Sequence, residues 1–174
     1  MYVKGRKLLI MPKIKKLITF FLFLFVCTNV CAADLAIPRF VSFRKDETNL
    51  RRGPGNQFPI RFVYRVKNYP VEIIDEYDLW RQIREVDGTI GWVHRRMLSG
   101  ARYALITDDT VLHKKSDKNS AILAYVKKNV LGKIEKCPAK ENFCLISFTF
   151  EDKTYSGWID KEYFYGVYSH EVIE

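Results

Sequence analysis

The sequence predicts an all-β protein, two small barrels in tandem behind an N-terminal export signal. Three observations predict it. Residues 1–33 form a basic, then apolar, then small-residue leader; from Phe40 onward short runs alternate with a period of two; and the second half of that region repeats the first.

The bulk numbers fit a packed domain. The 174 residues are 48% apolar and 28% charged, which excludes collagen-like, low-complexity and wholly disordered classes. The formal charge of +9 comes from 29 Lys and Arg against 20 Asp and Glu. Six of those cations, Lys4, Arg6, Lys7, Lys13, Lys15 and Lys16, lie in residues 1–33 beside no carboxylate, so the remainder holds 23 against 20, or +3. So small an excess does not describe a phosphate-binding surface, and nucleic acid is not expected as a partner.

The leader itself is informative. Leu17 to Cys27 is apolar, shorter than the roughly 20 residues that span a bilayer, and is followed by Cys31-Ala32-Ala33 before Asp34. This is the pattern of a secretory signal peptide cleaved after Ala32 or Ala33, with the periplasm as destination. An uncleaved leader holding the chain at the inner membrane is the alternative, and contact with the membrane is expected only through it. Met11 serves as a start as well as Met1 without changing the mature chain. Cys27 and Cys31 follow valines where lipid attachment wants a small residue, so a lipid anchor is not expected. Cys137 and Cys144 then remain as a pair in an exported chain, which points to a disulfide. Flanking a short connection that includes Pro138, it would contribute roughly 2.5 kcal/mol by loop-closure entropy. No C-x-x-C spacing and no further Cys or His ligands accompany the pair, so a metal or redox role is not expected.

The elements follow in order. Strands are predicted over 40–43, 48–51, 60–66, 71–76, 80–86 and 89–93, rich in β-branched and aromatic residues and split by Gly, Pro, Asn and Asp. Asp87-Gly88 reads as a two-residue hairpin with positive φ at both positions. A second set follows at 101–106, 110–113, 122–126, 131–136, 143–148 and 155–159. Gly91 to Gly100 lies over Gly157 to Gly166, sharing Gly-Trp, a β-branched residue, a polar segment, a bulky pair and a closing Gly. A glycine before a tryptophan in a strand permits close approach of a neighbouring backbone. The boundaries expected are 38–100 for the first barrel, 101–168 for the second and 169–174 for a tail, with the barrels packed on each other because units of this size are marginal alone.

Asn49-Leu50-Arg51-Arg52-Gly53-Pro54-Gly55, then Phe58-Pro59, Trp80-Arg81-Gln82-Ile83 and Gly91-Trp92-Val93 resemble the bacterial SH3-like (SH3b) domain. With the closing Tyr165-Gly166-Val167-Tyr168, the layout is similar to exported tandem SH3-like proteins of Gram-negative bacteria. The second unit departs from the pattern: Leu112-His113-Lys114-Lys115-Ser116 lacks Gly-Pro-Gly, and Cys144 stands near where Trp80 would align. The resemblance implies two SH3-like barrels and a non-catalytic binding role toward cell-wall material or peptide segments.

A groove lined by aromatics would grip an extended chain at low entropic cost, and Tyr64, Tyr69, Tyr77, Trp80 and Trp92 are the candidates. Trp80 is three residues from Ile83, so with Ile83 in the core it points outward. Core closure is the other reading for these rings. Arg51, Arg52 and the His94-Arg95-Arg96 cluster would receive carboxylates, or else form a solvated rim. Gly53, Pro54 and Gly55 form a turn that uses glycine's unusual φ values, not a phosphate cradle. His94, His113 and His170 stand singly, so neither an enzyme, a cofactor nor a metal site is expected. The functional expectation is a periplasmic module that binds peptidoglycan or its stem peptides through the first unit, with an adaptor for an envelope protein as the alternative.

Overall fold

Short strands separated by turn residues can bury an apolar face only by closing a sheet on itself or on another. The computed structural model, which describes residues 35–174, shows this happening twice. The proposed signal peptide, with Cys27 and Cys31, lies outside the described residues. The first sheet contains β1 (Arg39–Phe43), β2 (Thr48–Arg51), β3 (Ile60–Tyr64), β4 (Pro70–Tyr77), β5 (Trp80–Arg84), β6 (Ile90–His94) and β7 (Leu98–Ser99). The second contains β8 (Tyr103–Ile106), β9 (Thr110–His113), β10 (Ile122–Val126), β11 (Leu131–Lys136), β12 (Phe143–Phe150), β13 (Lys153–Asp160) and β14 (Phe164–Tyr165). Their orders are β3-β2-β6-β5-β4-β1-β7 and β10-β9-β13-β12-β11-β8-β14, the same topology element for element. All pairings are antiparallel.

The irregularities repeat too. Register shifts fall after Ile73 in β4 and after Ile134 in β11, where each isoleucine faces Ile83 or Ile146 across the pair. Asn68 and Asn129 both take positive φ, and their amides bond the carbonyls of Phe43 and Ile106 at 2.8 Å. Gly91 and Gly157 do the same work: a Cβ on Gly91 would stand 2.6 Å from Leu50 Cγ, and one on Gly157 2.7 Å from the His113 carbonyl. Each tight approach brings the long-loop strand over the core. The first core is Val41, Phe43, Leu50, Val71, Ile73, Ile83, Val93 and Leu98. The second gathers Ala104, Ile106, Leu112, Val126, Ile134, Ile146, Ile159 and Phe164 with both cysteines. Cys137 and Cys144 are joined by a disulfide.

Three expectations need correction. Only Gly88 of the Asp87-Gly88 pair has positive φ; Glu85 N–H bonds the Thr89 carbonyl and Gly88 N–H that of Glu85, so the loop has three residues, with the glycine in the left-handed last place. The two-residue turn with both φ positive is instead Glu151-Asp152, between β12 and β13, and no glycine advertises it. Residue 143, not 144, is equivalent to Trp80: Trp80 faces His94, and Phe143 faces Asp160. The longer β12–β13 hairpin displaces the sequence alignment. Finally, the stretch after 168 is tied down, because Ile173 exchanges both backbone hydrogen bonds with Cys137, at 2.8 and 3.0 Å.

The barrels pack through a mixed interface. Phe40 of β1 lies 4.9 Å from the ring of Tyr165 and 4.7 Å from that of Tyr168, with the Arg102 guanidinium over its face. Glu72, buried in β4, accepts from Arg84 Nε at 2.8 Å and from Tyr168 Oη at 2.6 Å. Tyr165 Oη donates to the Arg84 carbonyl at 2.9 Å. Burial raises the pKa of both tyrosines, and Glu72 adds to the effect.

Candidate functional site in the first barrel

Inward positions of β6 are taken by Gly91 and Val93, so Ile90, Trp92 and His94 face out. The register then sets Trp80 against His94, Gln82 against Trp92, and Arg51 against Trp92 on the other side. A concavity of about 180 Å³ opens on this face, lined by Asn49, Arg51, Asn56, Trp80, His94 and Met97. Trp80 is its floor. The indole meets the His94 imidazole edge to face at 5.3 Å. Tyr77 stands opposite Trp80 at the hairpin end and is 62% exposed, extending the aromatic surface toward solvent.

His94 has a second duty. Its Nδ1 accepts the Arg96 amide at 3.1 Å, capping the one-turn 3₁₀ segment Arg95–Met97. Desolvation, then the Arg96 and Arg95 charges, lower its pKa. The imidazole is therefore neutral at neutral pH. Arg51 reaches into the long loop and donates to the carbonyls of Phe58 at 2.8 Å and Asn56 at 3.2 Å. It fixes the loop as well as edging the pocket.

The other sequence candidates divide. Trp80 pairs with His94 on the outer face and is not part of the cluster around Ile83, but at 8% exposed it is a buried side chain rather than one open to solvent. His94 covers one side of it. Trp92 is half-buried on the outer face. Tyr64 and Tyr69 do not join the pocket; they stack on each other and on Phe43 at 5.3 and 5.8 Å, closing the far end of the core. Tyr64 Oη donates to buried Glu85, and burial, then the Glu85 charge, push Tyr69 up to about 12. Arg52 is exposed. In the Gly53-Pro54-Gly55 loop neither glycine has positive φ, which corrects the reason given for them: the Phe58 ring would stand 2.6 Å from a Cβ on Gly53. Space, not dihedral freedom, selects that glycine.

Sequence reasoning missed Asn49, Asn56 and Met97 and placed His94 only in a basic cluster. Their signal was positional. Asn49 follows Thr48 outward on β2, and Met97 ends the turn that His94 caps.

Two strongly bent seven-stranded antiparallel sheets of one topology, each with a long loop folded over an outward aromatic, are SH3-like barrels. Residues 44–100 match the family model for the bacterial SH3 domain, so the first barrel is similar to that family in sequence as well as in fold. Among solved structures, the chain is similar to NlpC2 from Trichomonas vaginalis, at 12% identity and a TM-score of 0.34, over 76% of this chain and 49% of that one. It is also similar to NlpC1 from the same organism, at 12% identity and a TM-score of 0.33, over 79% and 50%. The chain thus spans about half the length of these proteins. No curated protein matches it.

Proposed function

We propose that the protein is a non-catalytic binding module of the bacterial cell envelope, acting in the periplasm, whose first barrel holds peptidoglycan through its stem peptides. The observation that carries this reading is the Trp80–His94 pocket within the segment that matches the bacterial SH3 domain. Its size decides what it takes. At about 180 Å³ it is below the ~300–1,000 Å³ of small-molecule sites and suits one residue of an extended chain. Arg51 lines it, and exposed Arg52, Arg95 and Arg96 are chain neighbours of its lining residues, so a segment with carboxylates would be drawn by charge and held by stacking on Trp80. The three histidines support a non-catalytic role: His94 caps a turn, His113 packs on Phe143, and His170 stacks on Tyr168.

The adaptor reading has one observation of its own. The edge strand β3 leaves Ile60, Phe62 and Val63 exposed beside an unpaired backbone edge, a template for another protein's strand. Co-sedimentation with purified sacculi at physiological salt separates the two. Saturable pelleting that is weakened in Trp80→Phe, with an unchanged melting temperature, supports wall binding. Failure of the wild-type chain to pellet overturns it in favour of the adaptor. Phenylalanine is the better substitution, because removing a ring this buried to alanine costs about 3–5 kcal/mol in fully packed sites.

A further inference from the structure

The second barrel has a pocket where the first has one, and its chemistry is inverted. Register fixes the equivalence: Phe143 faces Asp160 as Trp80 faces His94, and His113 faces Trp158 as Arg51 faces Trp92. Asp160 also takes over the capping role of His94, its Oδ1 accepting the Glu162 amide at 3.3 Å. The cavity here is about 370 Å³, inside the ~300–1,000 Å³ range of ligand sites. Phe143, His113 and Tyr163 form its wall, with Phe143 and His113 edge to face at 5.9 Å. In place of a neutral imidazole there is a carboxylate whose side chain is 9% exposed.

A buried carboxylate needs a partner. Asp160 has one from the long loop of its own barrel: Lys118 sets its ammonium 3.0 Å from Asp160 Oδ2 and 3.2 Å from Glu162 Oε1. Lys118 itself is 63% exposed and reaches in from a flexible four-carbon stem. Asp109, also at the rim, is already engaged by Lys127. The remaining volume beside the aromatic wall is thus poised for an aliphatic chain that ends in a cation.

We propose that this pocket is a second ligand site, for a peptide segment carrying a lysine-type side chain, a primary ammonium on an aliphatic stem. Lys118 is the displaceable internal occupant. The incoming ammonium takes the Asp160–Glu162 pair, and its methylenes pack on Phe143, burial that exposed Lys118 does not obtain. The inference is independent of the ligand assigned to the first barrel.

The test is an NMR titration of the isotope-labelled protein with the peptide acetyl-Ala-Lys-Ala-amide, beside the same peptide acetylated at Nε. Saturable shifts at His113, Asp160 and Glu162 with the free amine only are expected. Lys118→Ala should bind about two- to fivefold tighter, the worth of an exposed ion pair that no longer competes. Asp160→Asn, which keeps the cap, should lose binding, while Trp80→Phe in the first barrel leaves it unchanged. Equal binding of both peptides, no binding of either, or binding to Lys118→Ala no tighter than to the wild type overturns the proposal. Lys118 is a surface side chain, so that arm does not depend on a variant that fails to fold.

Discussion

His94 Nδ1 accepts the cap hydrogen bond from the Arg96 amide, an acceptor that protonation would remove, while its ring lies edge to face on Trp80. Its pKa is lowered by desolvation and then by Arg96 and Arg95. The folded state therefore favours the neutral ring, a contribution present above the ordinary value of 6.5 and lost as pH falls through the depressed folded value. His94→Asn keeps a capping side chain without the titration. Thermal melts should show the wild type losing stability relative to this variant as pH falls below 6.5; parallel curves would remove His94 from the pH response. Glu85 runs the other way. Burial is the largest influence and raises its pKa above the ordinary 4.5, although the hydrogen bond from Tyr64 opposes it. The folded state favours the protonated acid, so the contribution is full below 4.5 and fades as pH rises through the raised value. Relative to Glu85→Gln, which can still accept from Tyr64, the wild type should weaken over that rise, and urea midpoints across pH read the difference.

At the scale of elements, turns and close approaches set the barrel geometry. Gly91 lies under β2, with the Arg51 carbonyl 3.0 Å from where a Cβ would stand and Leu50 Cγ nearer still. Gly91→Ala should cost about 1–3 kcal/mol, the penalty of overpacking a tight contact. Gly100 has open space around it and no positive φ, so Gly100→Ala should be neutral or stabilise by about 0.4–1 kcal/mol through the unfolded chain. Denaturant titration distinguishes these outcomes. The Glu151-Asp152 turn places two residues with side chains at φ of 45 and 63°. Replacing them by Asn-Gly should raise stability by about 1–2 kcal/mol, the cost of one left-handed residue relieved. A lowered midpoint would mean that the acidic pair makes an interaction worth more than its backbone cost.

Across the whole molecule, Glu72 holds an arginine of its own barrel and a tyrosine of the other. Phe40 is clasped by two tyrosines beyond it. Scanning calorimetry should therefore give one transition for the two barrels. Tyr168→Phe should cost about 1.5–3 kcal/mol, the worth of a hydrogen bond to a charged group. Two resolved transitions in the wild type would show that the barrels melt independently and that this interface contributes little.

Much of the fold was legible in the residues because alternation and turn chemistry are local. The runs at 48–51, 110–113, 122–126 and 131–136 became strands with those bounds. The Gly-Trp repeat located the close approach under both long-loop strands. The site was less legible. Trp80 could be placed off the core by counting from Ile83, but what covers it depends on His94, which reaches it only through the β5–β6 register. Tyr64 and Tyr69 share their composition with groove residues, and only the fold decides between groove and core closure by setting them on Phe43. That Phe143 rather than neighbouring Cys144 takes the place of Trp80 follows from hairpin length, which is a property of pairing and not of the aligned sequence. By itself the sequence determined the strand content, the duplication, the cysteine pair and the glycines that allow close packing, all fixed by side-chain size and period. Only the tertiary structure decided which rings share a face and which charges meet in a pocket, since those neighbours are distant in the chain and are joined by register and closure alone.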